Sequence, residues 1–188
     1  MKAIWNGTDS LFLVKFPKQL KRTKIFYVFS LRVFARLCDI FAYEHYYLGP
    51  LVYRNLCKFG MKKPLILYKS PILDIDIKLE SHSGFNVLYY YPKKDTKFNR
   101  WLYGFDIYEG LLNEGFNFIV VDGSHDMNKI YPVIDVLIRP NRHDGDPRMV
   151  RECNKIGIPV IHTYENPSIL QFKESLYGIK YICDSSKL

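Results

Sequence analysis

The stretch IRPNRHDGDPRMVREC, Ile138 to Cys153, places Arg, Arg, His, Asp, Gly, Asp and Pro between an apolar strand and a helix. A loop that merely joins such elements needs a few residues of turn chemistry and a cap. This one has the makings of an anion site. Asp146-Pro147 reads as an N-cap followed by proline at the first helical position, which would aim free backbone N–H groups and the positive end of the helix dipole at the loop. Gly145 removes a side chain where a phosphate would approach the backbone, and Arg139, Arg142 and His143 offer charged or hydrogen-bonding donors. Glu152, inside the helix, is placed to accept hydrogen bonds from a sugar hydroxyl. Any one Arg or Glu there would as readily form a solvated ion pair. The convergence of cap, glycine and four polar groups is what points to a ligand.

The elements that must hold this loop follow from hydrophobic patterning. From Phe85 onward, short apolar runs (FNVLYYY, FNFIVVDG, DVLIRP, IPVIHTY) alternate with helical segments over Trp101 to Asn113, Met127 to Tyr131 and Met149 to Lys155. Continuous apolar strands alternating with helices imply a parallel sheet covered on both faces, with its ligand edge at the carboxyl ends of the strands. The first part reads similarly but shorter. KAIWNG is a strand, Val28 to Leu37 a long helix, DIFAYE a strand, Leu51 to Phe59 a helix with Gly60 at its C-cap, and PLILYKS a strand. The polar, alternating DIDIKLESHSG, Asp74 to Gly84, is a connection or an edge strand. The expected fold is therefore α/β with Rossmann-like parallel sheets, a first lobe over residues 1–83 and a second over 84–188.

Composition bounds the function classes. Over 188 residues, 48% hydrophobic and 24% charged content is that of a globular chain. The four cysteines form no C-x-x-C pair, which argues against a zinc site or a disulfide framework and suits a reducing, cytoplasmic compartment. MKAIWNGTDS lacks the apolar core of a secretory signal, so Asn6-Gly7-Thr8 reads as a turn. The most apolar stretch, IFYVFSLRVFARLCDIF, is interrupted by Arg32, Arg36 and Asp39 and is not a membrane span. A net charge of +8 favours anionic partners without naming one.

With those residues in view, the second lobe resembles the donor-binding domain of retaining nucleotide-sugar glycosyltransferases of the two-Rossmann GT-B class. The likeness covers about a hundred residues, from NVLYYYP through FNFIVVDG to IYPVIDVLIRPNRHDGDPRMVRECNKIGIPVIHTY. Its most specific piece is an acidic residue, seven intervening residues and a glutamate, here Asp144 and Glu152, followed by Gly157 to Ile161; Asp144 stands where the family usually has Glu. The resemblance implies that Glu152 holds the donor ribose, that Asp144 lies near the donor sugar, and that His143, Gly145 and Asp146 line the pyrophosphate and sugar pocket. Lys93 or Lys94, in PKKDTKFNR, would serve the phosphates, and Gly123 and Ser124 would lie near the nucleobase. IWNGTD resembles the W-x-G-T/S-D segment of some such enzymes, which puts Trp5 and Asp9 on the acceptor side; a turn with a buried aromatic anchor is the equal alternative. Set against the family's usual pattern, residues 1–83 are expected to form a reduced, acceptor-side α/β lobe.

The implied activity is transfer of a sugar from a nucleotide diphosphate to an acceptor, without a metal or further cofactor. Arg139 and a lysine of the Lys93 to Lys97 cluster would offset the charge developing on the leaving phosphate. Four alternatives remain open. Asp74-Ile75-Asp76 has the form of the metal-binding D-x-D of the other major glycosyltransferase fold, but alternation on a solvent-facing edge strand puts two carboxylates on one face equally well and is the preferred reading. The chain could be a non-catalytic nucleotide-sugar-binding module, or a subunit completed by a partner chain. Nucleic-acid binding is encouraged by basic, aromatic-rich composition, but no recognised motif supports it. KQLKRTKIFYVFSLRVFARL would rest on an anionic membrane surface or, as an ordinary amphipathic helix, pack on the first sheet.

Overall fold

A computed structural model describes residues 2–5, 7–14, 25–42, 44–68, 71, 74–163 and 167–185, leaving aside the side chains of residues 2 and 7–9. The fold is α/β and contains two separate parallel sheets. The chain forms two compact units, one of residues 1–72 with 143–147, the other of residues 73–142 with 148–188. The division falls earlier than Ser83–Gly84, and it assigns residues 143–147 to the first unit.

In the first unit the described elements are β1 (Lys2–Trp5), α1 (Gly7–Val14), α2 (Ile25–Phe41), β2 (Glu44–Tyr47), α3 (Pro50–Phe59) and β3 (Leu65–Leu67). The strands pair in the order β1-β2-β3, with Trp5 opposite Tyr47 and His45 opposite Leu65. Trp5, Leu13, Ala35, Cys38, Val52 and Leu56 close one core. Gly60 ends α3 as expected, in the left-handed region at φ 77°, and its N–H and that of Met61 take up the carbonyls of Cys57 and Leu56. Two expectations are corrected. The apolar run at Asp39 to Glu44 is not a strand, because Val28, Ala35, Cys38 and Asp39 continue one buried helical stripe and α2 runs on to Phe41. The strand begins only at Glu44. Gly7 and Thr8 open α1 rather than making a turn, and Asn6 lies outside the described residues.

The second unit follows the expected alternation: β4 (Asn86–Tyr90), α4 (Lys97–Leu102), α5 (Phe105–Leu111), β5 (Asn117–Val121), α6 (Met127–Ile130), a 3-10 turn (Tyr131–Val133), β6 (Val136–Arg139), α7 (Arg148–Ile156), β7 (Val160–His162) and α8 (Ile169–Ser185). All strands are parallel, in the order β5-β4-β6-β7. Strand alternation divides the side chains between two cores. Val87, Tyr89, Val136 and Ile138 meet Ile107, Leu111, Phe172 and Leu176 on one face, while Leu88 and Leu137 meet Tyr131, Cys153 and Ile158 on the other. Helix α8, which the sequence reading does not include, supplies Phe172 and Leu176 to the first of these cores. Asp74 to Gly84 forms no strand; Asp74 and Asp76 are exposed while Ile75 and Ile77 are half-buried.

The helix expected over Trp101 to Asn113 is broken in two at Gly104, which is buried and left-handed at φ 64°. A methyl group there would also drive into the Pro140 carbonyl oxygen. Gly104→Ala is therefore expected to lower stability by about 3 kcal/mol, from the left-handed backbone and the clash together. The check is the midpoint of urea unfolding relative to the unaltered protein.

Candidate functional site

In the second sheet the first strand of the unit, β4, lies between the second, β5, and the third, β6. Chain direction across the sheet thus reverses between β4 and β6. Loops leaving the carboxyl ends of such a pair diverge and open a crevice, the usual ligand position in this architecture. Tyr90 ends β4 and Arg139 ends β6, and the guanidinium lies 5.9 Å from the centre of the tyrosine ring. This is a weak cation–π contact at the switch point. Arg142, expected as a second phosphate donor, is engaged otherwise. Its two terminal nitrogens hold Asp106 at 2.8 and 2.6 Å, and one also donates to the Trp101 carbonyl. Burial opposes ionisation of Asp106, but the Arg142 contacts outweigh it and hold the carboxyl below its ordinary range.

Glu152 lies on α7, just beyond this edge, and is buried. The Tyr131 hydroxyl donates to its Oε2 at 2.6 Å, and Arg148 Nε donates to its Oε1 at 2.6 Å, from one helical turn earlier. The two partners differ. Tyr131 is fully buried, so its bond is part of the core; the Arg148 side chain is 76% exposed, so its bond is open to exchange. A carboxylate has about four lone-pair positions, so Glu152 retains acceptor capacity for hydroxyl groups beside both donors. Burial pushes the neighbouring Cys153 thiol up to about 12, which makes it a packing residue and not a nucleophile.

The loop after β5 is a tight polar turn. Asp122 accepts from the Ser124 hydroxyl at 2.6 Å and N–H at 3.0 Å, and from the His125 ring at 3.0 Å. Those Ser124 bonds, with His125, bring its carboxyl down to about 2. Gly123 and Ser124 are exposed at this edge, with Gly123 left-handed at φ 85°. In the loop after β4, Lys93 and Lys94 are exposed, whereas Arg100 is tied to Asp95 and Glu109 and stacks on Phe105.

The remaining candidates belong to the first unit. His143 is buried, and Asn55 Nδ2 lies 2.8 Å from its Nε2 and 3.4 Å from Ser10 Oγ. Asp144 Oδ1 accepts from the Gly145 N–H at 3.1 Å, and Gly145 packs so close to Gly49 that a side chain at Gly49 would strike its carbonyl. The structure thus groups His143, Asp144, Gly145 and Asp146 with one unit, and Arg139, Glu152, Lys93, Lys94, Gly123 and Ser124 with the other. Helix α7 starts at Arg148, one residue after the place expected for its first turn.

Trp5 is buried, and its indole N–H donates to His45 Nδ1 at 3.2 Å. An indole N–H can only donate, so Nδ1 accepts and Nε2 carries the proton that faces Asp39 at 3.0 Å. Asp39 also receives the N–H groups of Lys62 and Lys63. Both ring nitrogens of His45 are engaged and the ring is fully buried, so this Trp-His-Asp chain is structural rather than a proton relay to substrate. The side chain of Asp9 lies outside those described.

Sequence reasoning missed the carboxylate partners of three histidines: Asp39 for His45, Asp135 for His82, and Asp122 for His125. Only the last pair, three residues apart, has a local signal. It also missed Tyr131 as the buried partner of Glu152. No protein-family model and no curated protein matches the chain.

Two outcomes follow. Tyr131→Phe leaves Glu152 Oε2 buried without its donor and is expected to cost about 1 to 3 kcal/mol, read by thermal or urea unfolding. Burial would raise the Asp39 carboxyl, but the Lys63 and Lys62 N–H groups and His45 outweigh it and hold it below its ordinary value. Its stabilisation is therefore present above the unfolded carboxyl range, near pH 4, and is lost as pH falls through the lower folded value. Asp39→Asn should be less stable at neutral pH and lose less stability on acidification below about pH 4. Parallel unfolding curves for the two proteins across that range would contradict this.

Proposed function

We propose that the second unit is a GT-B-like donor domain that binds a nucleotide diphosphate sugar, and that the chain acts in glycosyl transfer from that donor. The observation that carries the reading is Glu152: a buried carboxylate on the helix after β6, fixed by Tyr131 on one oxygen and by a displaceable Arg148 on the other. A ribose diol would take the place of Arg148 on Oε1. Arg139, held against Tyr90 at the switch point, and one of Lys93 or Lys94 would offset the pyrophosphate charge. Gly123, exposed and without a side chain, offers an approach for the base, with Ser124 beside it.

In transfer, negative charge develops on the leaving phosphate while the sugar becomes oxocarbenium-like. Cations positioned at that phosphate lower the barrier by stabilising charge that grows in the transition state. The resemblance gives Arg139 this share and sets Asp144 beside the sugar. A non-catalytic nucleotide-sugar-binding module uses the same Glu152 site and differs in lacking turnover.

Ligand-observed NMR without added metal, against uridine, guanosine and thymidine diphosphates and their sugars, tests the reading. One of them is expected to bind, and Glu152→Ala to weaken it by at least about tenfold. Unchanged affinity in a folded Glu152→Ala protein, or no binding by the unaltered one, would overturn it.

A further inference from the structure

In the first unit, the last turns of α2 and the chain that leaves α3 border a hollow of about 650 Å³, lined by Arg36, Asp39, Ile40, Gly60, Lys62 and Lys63. That is the size of a small-molecule site. Spacings of three and four residues put Arg36, Asp39 and Ile40 on one face of α2. Gly60, the α3 C-cap, brings no side chain to the wall and leads straight into Lys62 and Lys63. Among the described residues no helix is long and apolar enough to cross a membrane.

Charge identifies the class of ligand. The one carboxylate of the hollow is already spent: Asp39 accepts the Lys62 N–H at 2.9 and 3.0 Å, the Lys63 N–H at 3.1 Å and the His45 ring at 3.0 Å. Those donors are backbone and ring groups, so both lysine ammonium groups are left over. Among the described residues no carboxylate pairs with Arg36, Lys62 or Lys63, and the sequence from His45 to Leu73 contains no acidic residue. Arg36 is preset: its terminal nitrogens donate to the Gly60 and Phe59 carbonyls at 2.8 and 2.6 Å, and its guanidinium lies 4.2 Å from the centre of the Phe59 ring. A carbonyl oxygen carries no net charge, so these contacts orient the guanidinium without neutralising it, and it keeps further N–H donors. Three cations against one carboxylate leave two positive charges in excess. A phosphate monoester carries about two negative charges near neutral pH, whereas a carboxylate or a phosphodiester carries one. Exposed Ile40 gives the carbon body of such a ligand an apolar wall.

We infer that this hollow binds the phosphate monoester group of a small molecule, with Lys62, Lys63 and the preset Arg36 on the phosphate oxygens and Ile40 against the carbon body. The site lies wholly in the first unit, so it is independent of the nucleotide-sugar reading of the second.

The test is a titration of the full chain with glycerol 3-phosphate, followed by the backbone amide NMR signals of Gly60, Lys62 and Lys63, which report on this hollow and not on the second unit. Saturable shifts are expected, absent with sodium chloride at the same ionic strength. Glycerate, with a carboxylate in place of the phosphate, should bind at least about tenfold more weakly. Lys62→Gln with Lys63→Gln keeps the backbone bonds to Asp39 and should weaken glycerol 3-phosphate more than about tenfold. Ile40→Asp, at a position 64% exposed and so tolerant of a polar side chain, gives a second variant and should weaken it by like-charge repulsion. Shifts that do not saturate, or that sodium chloride reproduces, are an effect of ionic strength only and overturn the inference. So does equal affinity for glycerate, or unchanged affinity in either folded variant.

Discussion

Parallel strands cannot be joined by tight turns; each return needs a crossover that lays a helix on one face of the sheet. That constraint governs the second unit. Because β4 is buried on both faces, its residues Val87, Leu88 and Tyr89 are all apolar or aromatic and are shared between two cores. The carboxyl ends of all its strands open on one edge, so the charged loops of the sequence collect there. The chain order places β4 between β5 and β6, and the chain reverses direction across the sheet where Tyr90 and Arg139 meet. The proposed site would thus be a consequence of topology first and of side chains second.

Within the first unit one carboxylate carries a comparable burden. Asp39 gathers the backbone of Lys62 and Lys63 and, through His45, the indole of Trp5. It ties α2, β1, β2 and the approach to β3 at a single buried point. Such a group is destabilising unless its lone pairs are filled, and here backbone donors fill them. The chemistry a His beside an Asp suggests is spent on structure.

How much was legible follows from how local each signal is. The strands β4, β5 and β6 could be read because five- and four-residue apolar runs end in Pro, Gly or charge. The Gly60 cap was legible because only a left-handed residue can follow α3 there. β2 was misread because DIF continues the helical stripe of α2 while also looking like a strand. The break at Gly104 was not legible, since the Pro140 carbonyl that packs against it lies 36 residues away. In the candidate site the place of Glu152 on the helix after β6 was legible from the strand-helix alternation, but its partner Tyr131 was not, because a tyrosine 21 residues upstream carries no sign of its partner. Nor did the sequence reveal that Arg142 is spent on Asp106.

The proposed nucleotide site is the carboxyl edge of the second sheet, as against the hollow between Leu79 and Asp135, which is lined by Glu80, Ser81 and His82. Hydrogen exchange of the full chain, with and without a saturating nucleoside diphosphate, distinguishes them most directly. Nucleotide binding at that edge is expected to add protection in residues 91–96, 122–126 and 139–142 and in the first turns of α7. Protection confined to residues 79–82 and 132–135, or none anywhere, would contradict it.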